Sequence, residues 1–203
     1  MIGDQHRLTP GYVARHVPPG SRLGLDVATL DIAQDFLLAH LHEAGFFSGM
    51  VVLKGGTALR KFLAGSAGRF STDLDLASSD PDADRQELAA LIAEHATVTL
   101  GPFRFEARES RNRWSIQVSS EYGNPAVTMK LDVGPPCWIE PEERPFVETV
   151  TQQRYGFALP RKVHITPLEG LRRIRASVGH PEGLGGQPRT RERVAASALS
   201  AAV

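Results

Sequence analysis

Leu53-Lys54-Gly55-Gly56-Thr57-Ala58-Leu59-Arg60-Lys61, a short loop, and then Gly68-Arg69-Phe70-Ser71-Thr72-Asp73-Leu74-Asp75-Leu76 make up the stretch on which the reading of this 203-residue chain turns. The apolar run Met50-Val51-Val52-Leu53, bounded by turn residues, predicts a short buried strand. Two glycines then lead into a short helix over residues 57–63. A strand that ends in Gly-Gly and enters a helix presents bare N–H groups at the positive end of a helix dipole, which suits a triphosphate. Residues 73–77 alternate as a second strand, with both aspartates on one face and Leu74 and Leu76 on the other. Paired carboxylates repel unless a cation sits between them, and hard oxygen donors at this spacing suit Mg²⁺. The plainer reading is a solvated edge strand.

Residues 126–133 carry the other strand in which a carboxylate interrupts an apolar alternation. Val127, Met129, Leu131 and Val133 face one way, Lys130 and Asp132 the other. Three carboxylates on adjacent strands, Asp73, Asp75 and Asp132, can hold two metal ions. Lys130 shares their face and is a candidate to touch the triphosphate or an incoming hydroxyl.

The combination Gly55-Gly56-Thr57-Ala58-Leu59 with Arg69-x-Ser71-x-Asp73-Leu74-Asp75-Leu76 resembles the DNA-polymerase-β-type nucleotidyltransferase superfamily, and more narrowly its AbiEii/MenT-like toxin branch. The close match covers about residues 50–78. The resemblance implies a mixed α/β fold: a polymerase-β-like core with flanking helices and a short helical or irregular carboxy-terminal region. It implies an NTP substrate and Mg²⁺ (two ions, with Mn²⁺ as a substitute), held by Asp73, Asp75 and Asp132. Catalysis falls to those three and Lys130. Nucleotide binding falls to Lys54, Gly55, Gly56, Thr57, Arg60, Arg69 and Ser71. The branch further implies a toxin that transfers NMP to tRNA 3′ ends and blocks aminoacylation, with a cognate antitoxin as partner. Relatives usually carry a Lys-x-x-Ala…Arg pattern and then an Arg/Lys-Asp-x-x-Asp segment. Here Pro167-Leu168-Glu169-Gly170-Leu171 opens the corresponding region, and neither that lysine nor those aspartates appear. Two other readings therefore stand beside the first: transfer to a small-molecule or protein hydroxyl, and an inactive nucleotidyltransferase fold that serves as a binding protein.

Composition bounds these readings without deciding among them. The chain is 41% hydrophobic and 23% charged, as in a packed globular domain. Net charge is zero, so any nucleic-acid surface must be local. A single cysteine, Cys137, excludes an internal disulfide, and neither a signal core nor a membrane-length apolar run is present, so a cytoplasmic protein without a membrane partner is expected. Residues 1–25 read as an irregular arm, 26–160 as the nucleotidyltransferase core and 161–203 as a basic region, partly helical or disordered. Between 161 and 193, eight Arg/Lys face three glutamates. Within the core, helices are predicted over residues 28–44 and 84–96, and strands over 97–109 and 114–119. Another helix is predicted over 167–177. Arg104 and Arg108 alternate with Phe103 and Phe105, and Arg111 and Arg113 sit in the next turn, so this hairpin reads either as an RNA contact or as a one-sided antiparallel pair.

Overall fold

The computed structural model describes residues 7–17, 24–65, 68–121, 126–145, 147, 150–155 and 163–165. Among these residues five α-helices, α1 (Pro10–His16), α2 (Leu25–Glu43), α3 (Gly55–Ala58), α4 (Arg85–His95) and α5 (Val150–Tyr155), accompany eight strands. The strands are β1 (Val51–Lys54), β2 (Asp73–Ser78), β3 (Thr99–Leu100), β4 (Phe103–Ser110), β5 (Arg113–Ser120), β6 (Val127–Gly134), β7 (Glu142–Arg144) and β8 (Val163–Ile165). They form one mixed sheet in the order β3-β4-β5-β6-β2-β1-β8-β7. The mixed α/β class expected from the sequence is what the chain adopts.

The sheet has two unlike faces because its central strands alternate. Leu74, Leu76, Ile116, Val118, Met129 and Leu131 are buried on one side. They join Phe36, Leu37 and Leu41 of α2 and Leu88 and Ile92 of α4 in a single apolar core. The other side carries Asp73, Asp75, Lys130 and Asp132. Helix α2 is buried on nearly all sides, from Leu30 through Ala39 without a break, so its pattern is that of a central helix rather than a surface one. Within it Asp31, Gln34 and Asp35 are buried too.

The amino-terminal region departs from the expected irregular arm. Thr9 caps α1, its hydroxyl accepting from the Tyr12 N–H at 3.2 Å, and Pro10 occupies the first turn. Leu8, Tyr12 and Val13 join the core. The single strand expected over 97–109 is two: Gly101, at φ 53°, turns the chain between β3 and β4. A side chain at Gly101 would run into the Phe36 ring at 2.7 Å, so the turn also needs the missing Cβ. Residues 142–144 and 150–155 supply β7 and α5, where the sequence carries no periodic signal. The helix expected over 167–177 and most of the basic region lie outside the described residues.

Candidate active site

Register aligns the candidate residues. In the antiparallel β1–β2 pair Lys54 stands opposite Asp75. In the parallel β2–β6 pair Asp73 stands opposite Lys130, and Asp75 opposite Asp132. Partners in register share a face, so Lys54, Asp75 and Asp132 form one row across three strands, with Asp73 and Lys130 in the next row. The sequence could place Asp73 and Asp75 together. That β2 and β6 are neighbours, with Asp132 level with Asp75, is a fact of topology.

The Gly55–Thr57 turn closes onto this row. Gly55 adopts φ 72°, a left-handed conformation that glycine takes at no steric cost. A Cβ there would overlap the Asp75 carboxylate, so the turn lies directly against that side chain. A Cβ on Gly56 would come within 2.8 Å of the Ser71 hydroxyl oxygen, which sets Ser71 under the same turn. Thr57 is fully buried, and its hydroxyl donates to the Asp73 carbonyl at 2.5 Å. Its side chain therefore ties the glycine turn to the carboxylate strand, and only its backbone N–H is left to meet a phosphate. Ser71 is 8% exposed, and its carbonyl accepts from Gln34 Nε2 at 3.0 Å. Arg69 is exposed beside it.

Arg60 requires a correction. Expected at the nucleotide, it points into the protein instead. Arg60 is buried, and its guanidinium donates to the carbonyls of Gly65 (2.6 Å) and Gly68 (2.7 Å) and pairs with Asp31 at 3.2 Å. The chain from Leu59 to Ala64 winds as a π-helix, continuing α3, and this wider turn sends both Arg60 and Lys61 inward.

Sequence reasoning missed the network that receives them. Lys61 is fully buried, with its ammonium 3.0 Å from Asp31 and 2.6 Å from Asp35, and it donates to the Asp31 carbonyl at 2.8 Å. His16 of α1 reaches Asp31 at 2.8 Å. Burial pushes the Asp31 carboxyl up, but Lys61, the hydrogen bond from His16 and Arg60 together outweigh it and hold the group well below the usual carboxylate range. Burial likewise disfavours the Lys61 cation, and Asp31 and Asp35 more than reverse it, raising its pKa. The signal was present: Asp31 and Asp35 lie one turn apart on a helix, set among Leu30, Ile32, Ala33, Phe36 and Leu37.

Electrostatics single out Asp75. Burial raises its pKa; Lys54 and Lys130 oppose the rise, while Asp73 and Asp132 add to it. Lys54 Nζ lies 4.0 Å from Asp132 Oδ2, and Gly134 makes room for it, since a Cβ at that position would overlap the ammonium. Among the described residues no three carboxylate, imidazole or thiol groups converge as the ligands of one ion would. The carboxylates share a face without closing on a point, and the Asp132 side chain is 71% exposed. The donor chemistry still fits a hard divalent cation: carboxylate oxygens alone, with Asp75 half-buried beside two like charges.

A family profile described as "Nucleotidyl transferase AbiEii toxin, Type IV TA system" matches residues 36–170, two thirds of the chain and all of this site. The chain belongs to this family. Among solved structures it is similar to MenT4, a nucleotidyltransferase toxin from Mycobacterium tuberculosis H37Rv, with 31% identity and a TM-score of 0.68. That match covers 84% of this chain and 59% of MenT4, so the chain spans well under two thirds of its relative's length. A more distant likeness is to JHP933 from Helicobacter pylori, with 14% identity and a TM-score of 0.45 over 84% of this chain and 64% of that one. No curated protein matches by sequence. As a member of the AbiEii family, the chain places the Gly-Gly-Thr turn and the Asp-x-Asp strand inside the matched region.

Proposed function

We propose that this AbiEii family member is a metal-dependent nucleotidyltransferase toxin that transfers NMP from an NTP to tRNA 3′ ends and so blocks aminoacylation. The observation that carries the reading is the row Lys54–Asp75–Asp132 with the Gly55 turn closing onto Asp75. Backbone N–H groups of residues 55–57 cradle the triphosphate, with Arg69 and the Ser71 hydroxyl at its margin. Asp73, Asp75 and Asp132 would hold Mg²⁺ or Mn²⁺, which when bound neutralises charge on the phosphates.

In the transfer, the acceptor hydroxyl oxygen bonds to the α-phosphorus, and the bond from that phosphorus to the α–β bridging oxygen breaks. Pyrophosphate leaves with the electron pair, and the hydroxyl proton passes to Asp132, the carboxylate open to solvent. Lys130, beside Asp73, faces the negative charge that develops. Lys54 lies within 4.0 Å of Asp132 and opposes the rise that burial imposes on the Asp75 carboxyl. The setting is the cytoplasm, where tRNA is found; no described helix is long and apolar enough to cross a membrane. A cognate antitoxin is the expected protein partner of a type IV system.

Incubation of the protein with each α-labelled NTP, Mg²⁺ and, separately, total tRNA, a protein extract or a metabolite extract tests the assignment. Label at tRNA 3′ ends supports it. Label on protein or metabolite moves the acceptor to a different class, and binding of NTP without transfer leaves a non-catalytic fold.

A further inference from the structure

The hairpin arginines that looked alike in sequence separate into two groups. Arg104 and Arg108 both pair with Glu106, at 2.8 and 3.3 Å, and stand on the outer face of β4 while Phe103 and Phe105 fill the core beneath. Those two serve a one-sided antiparallel strand. Arg111 and Arg113 differ. Arg111 and Asn112, at φ 51° and 59°, form a two-residue turn between Ser110 and Arg113, which sets Arg111 at the tip of the hairpin and Arg113 at the first rung of β5. Both are exposed, and among the described residues neither has an ion pair.

These arginines border an open cleft of about 1430 Å³. Its walls include Arg85 at the start of α4, Arg111, Asn112, Arg113, Lys130 and Asp132. Asp84, Glu87 and Glu109 are also on its walls, so the cleft is not a uniform positive field and any anion grip is local to the hairpin. Ser115 pairs with Lys130, and alternation places Arg113 on the face of Ser115. The rows across the sheet thus run from the glycine turn and Lys54 on β1, through Asp75 on β2 and Asp132 on β6, to Arg113 on β5. At usual strand spacing this distance is about 14 Å.

That order has a chemical consequence. The entering oxygen must approach the α-phosphorus from the side opposite the leaving pyrophosphate. If the triphosphate lies on the β1 side, the acceptor reaches the carboxylates from the β5 side. We infer that the Arg111–Arg113 hairpin and the cleft beneath it are the acceptor-strand site, holding the phosphodiester backbone of a single-stranded RNA end so that its terminal hydroxyl points at Asp132. The inference rests on the proposed nucleotidyl transfer for its orientation. Arg111, Arg113, Arg85 and Lys130, with no carboxylate partner at ion-pair distance among the described residues, match a run of phosphates better than a protein or small-molecule acceptor.

Anisotropy of a short fluorescent single-stranded RNA, titrated with protein in the absence of NTP, reads this site without requiring transfer. The variant Arg111→Gly/Arg113→Glu keeps the left-handed turn accessible, and Arg104→Glu/Arg108→Glu is the matched control on the same hairpin. The first should bind RNA at least tenfold more weakly, with a log–log salt slope shallower by about 1.4 for two lost phosphate contacts. The control should stay within about twofold of wild type, and both should keep NTP binding. Equal losses in the two variants, wild-type affinity in the first, or no RNA binding by the wild type would each overturn the inference. RNA binding that depends on Arg111 and Arg113 but yields no labelled RNA would contradict the proposed reaction and leave the cleft assignment standing.

Discussion

Asp75 and Asp132 stand opposite one another on the parallel strands β2 and β6, and Lys54 reaches across from β1 to within 4.0 Å of Asp132. Burial and two neighbouring carboxylates hold Asp75 above the ordinary carboxylate range, with Lys54 as the leading counter-charge. A single-residue change in the register of β2 would turn Asp75 into the core and Leu74 into the site, so folding and site assembly are one event.

Gly55→Ala is expected to abolish NTP binding. The new Cβ would overlap the Asp75 carboxylate, and alanine at φ 72° adds strain of about 1–2 kcal/mol. Calorimetry with a non-hydrolysable NTP should show at least a hundredfold loss of affinity, while thermal unfolding shows a protein still folded. Unchanged affinity would move the phosphate site away from this turn.

Arg60→Lys should act on stability and leave the nucleotide alone. Lysine cannot reproduce the fork that binds Gly65, Gly68 and Asp31 together, so a loss of about 1–3 kcal/mol is expected in urea unfolding. The KM for NTP should change less than twofold. A large rise in KM with unchanged stability would restore Arg60 to the nucleotide.

Asp31→Asn should be the most damaging change outside the site. It leaves the buried Lys61 ammonium with Asp35 as its one counter-charge and removes the charged partner of Arg60 and His16, a loss of about 3–5 kcal/mol. A denaturation midpoint near wild type would show that the network contributes little net stability.

The same network sets the dependence of stability on pH. Asp31 has its pKa lowered on folding, so its contribution is present above its ordinary value of 3.8 and is lost as pH falls below it. Lys61 has its pKa raised, so its contribution is present below its ordinary value of 10.5 and is lost as pH rises above it. Urea midpoints should therefore fall below about pH 4 and again above about pH 10.5. In Lys61→Met, the alkaline loss assigned to this ammonium should vanish.

How much of this could be read from sequence follows from what each signal depends on. Local alternation disclosed the Asp73/Asp75 pair and the Lys130/Asp132 face, because strand period alone decides which side chains share a side. Both glycines of the turn were legible for a similar reason, although their contact with Asp75 and Ser71 was not. Helix α1 was missed despite a usable signal, Thr9 as cap and Pro10 in the first turn, since prolines nearby read as irregular chain. The resemblance assigns Arg60 to the nucleotide and Lys61 to nothing; their inward turn depends on a π-helix and on Asp31 and Asp35, far upstream in the chain. Strands β7 and β8 are three residues each, too short for any period to register.

The nucleotidyltransferase assignment is tested most directly by transfer assays on Asp75→Asn beside the wild type. The change keeps side-chain volume and removes only the charge, so melting temperature and RNA affinity should hold. Wild type should place label from an α-labelled NTP on tRNA 3′ ends in the presence of Mg²⁺, and Asp75→Asn should lose that transfer by about a thousandfold or more. Transfer by Asp75→Asn within tenfold of wild type, with Mg²⁺ present and the fold intact, would contradict the assignment of this carboxylate row as the catalytic centre.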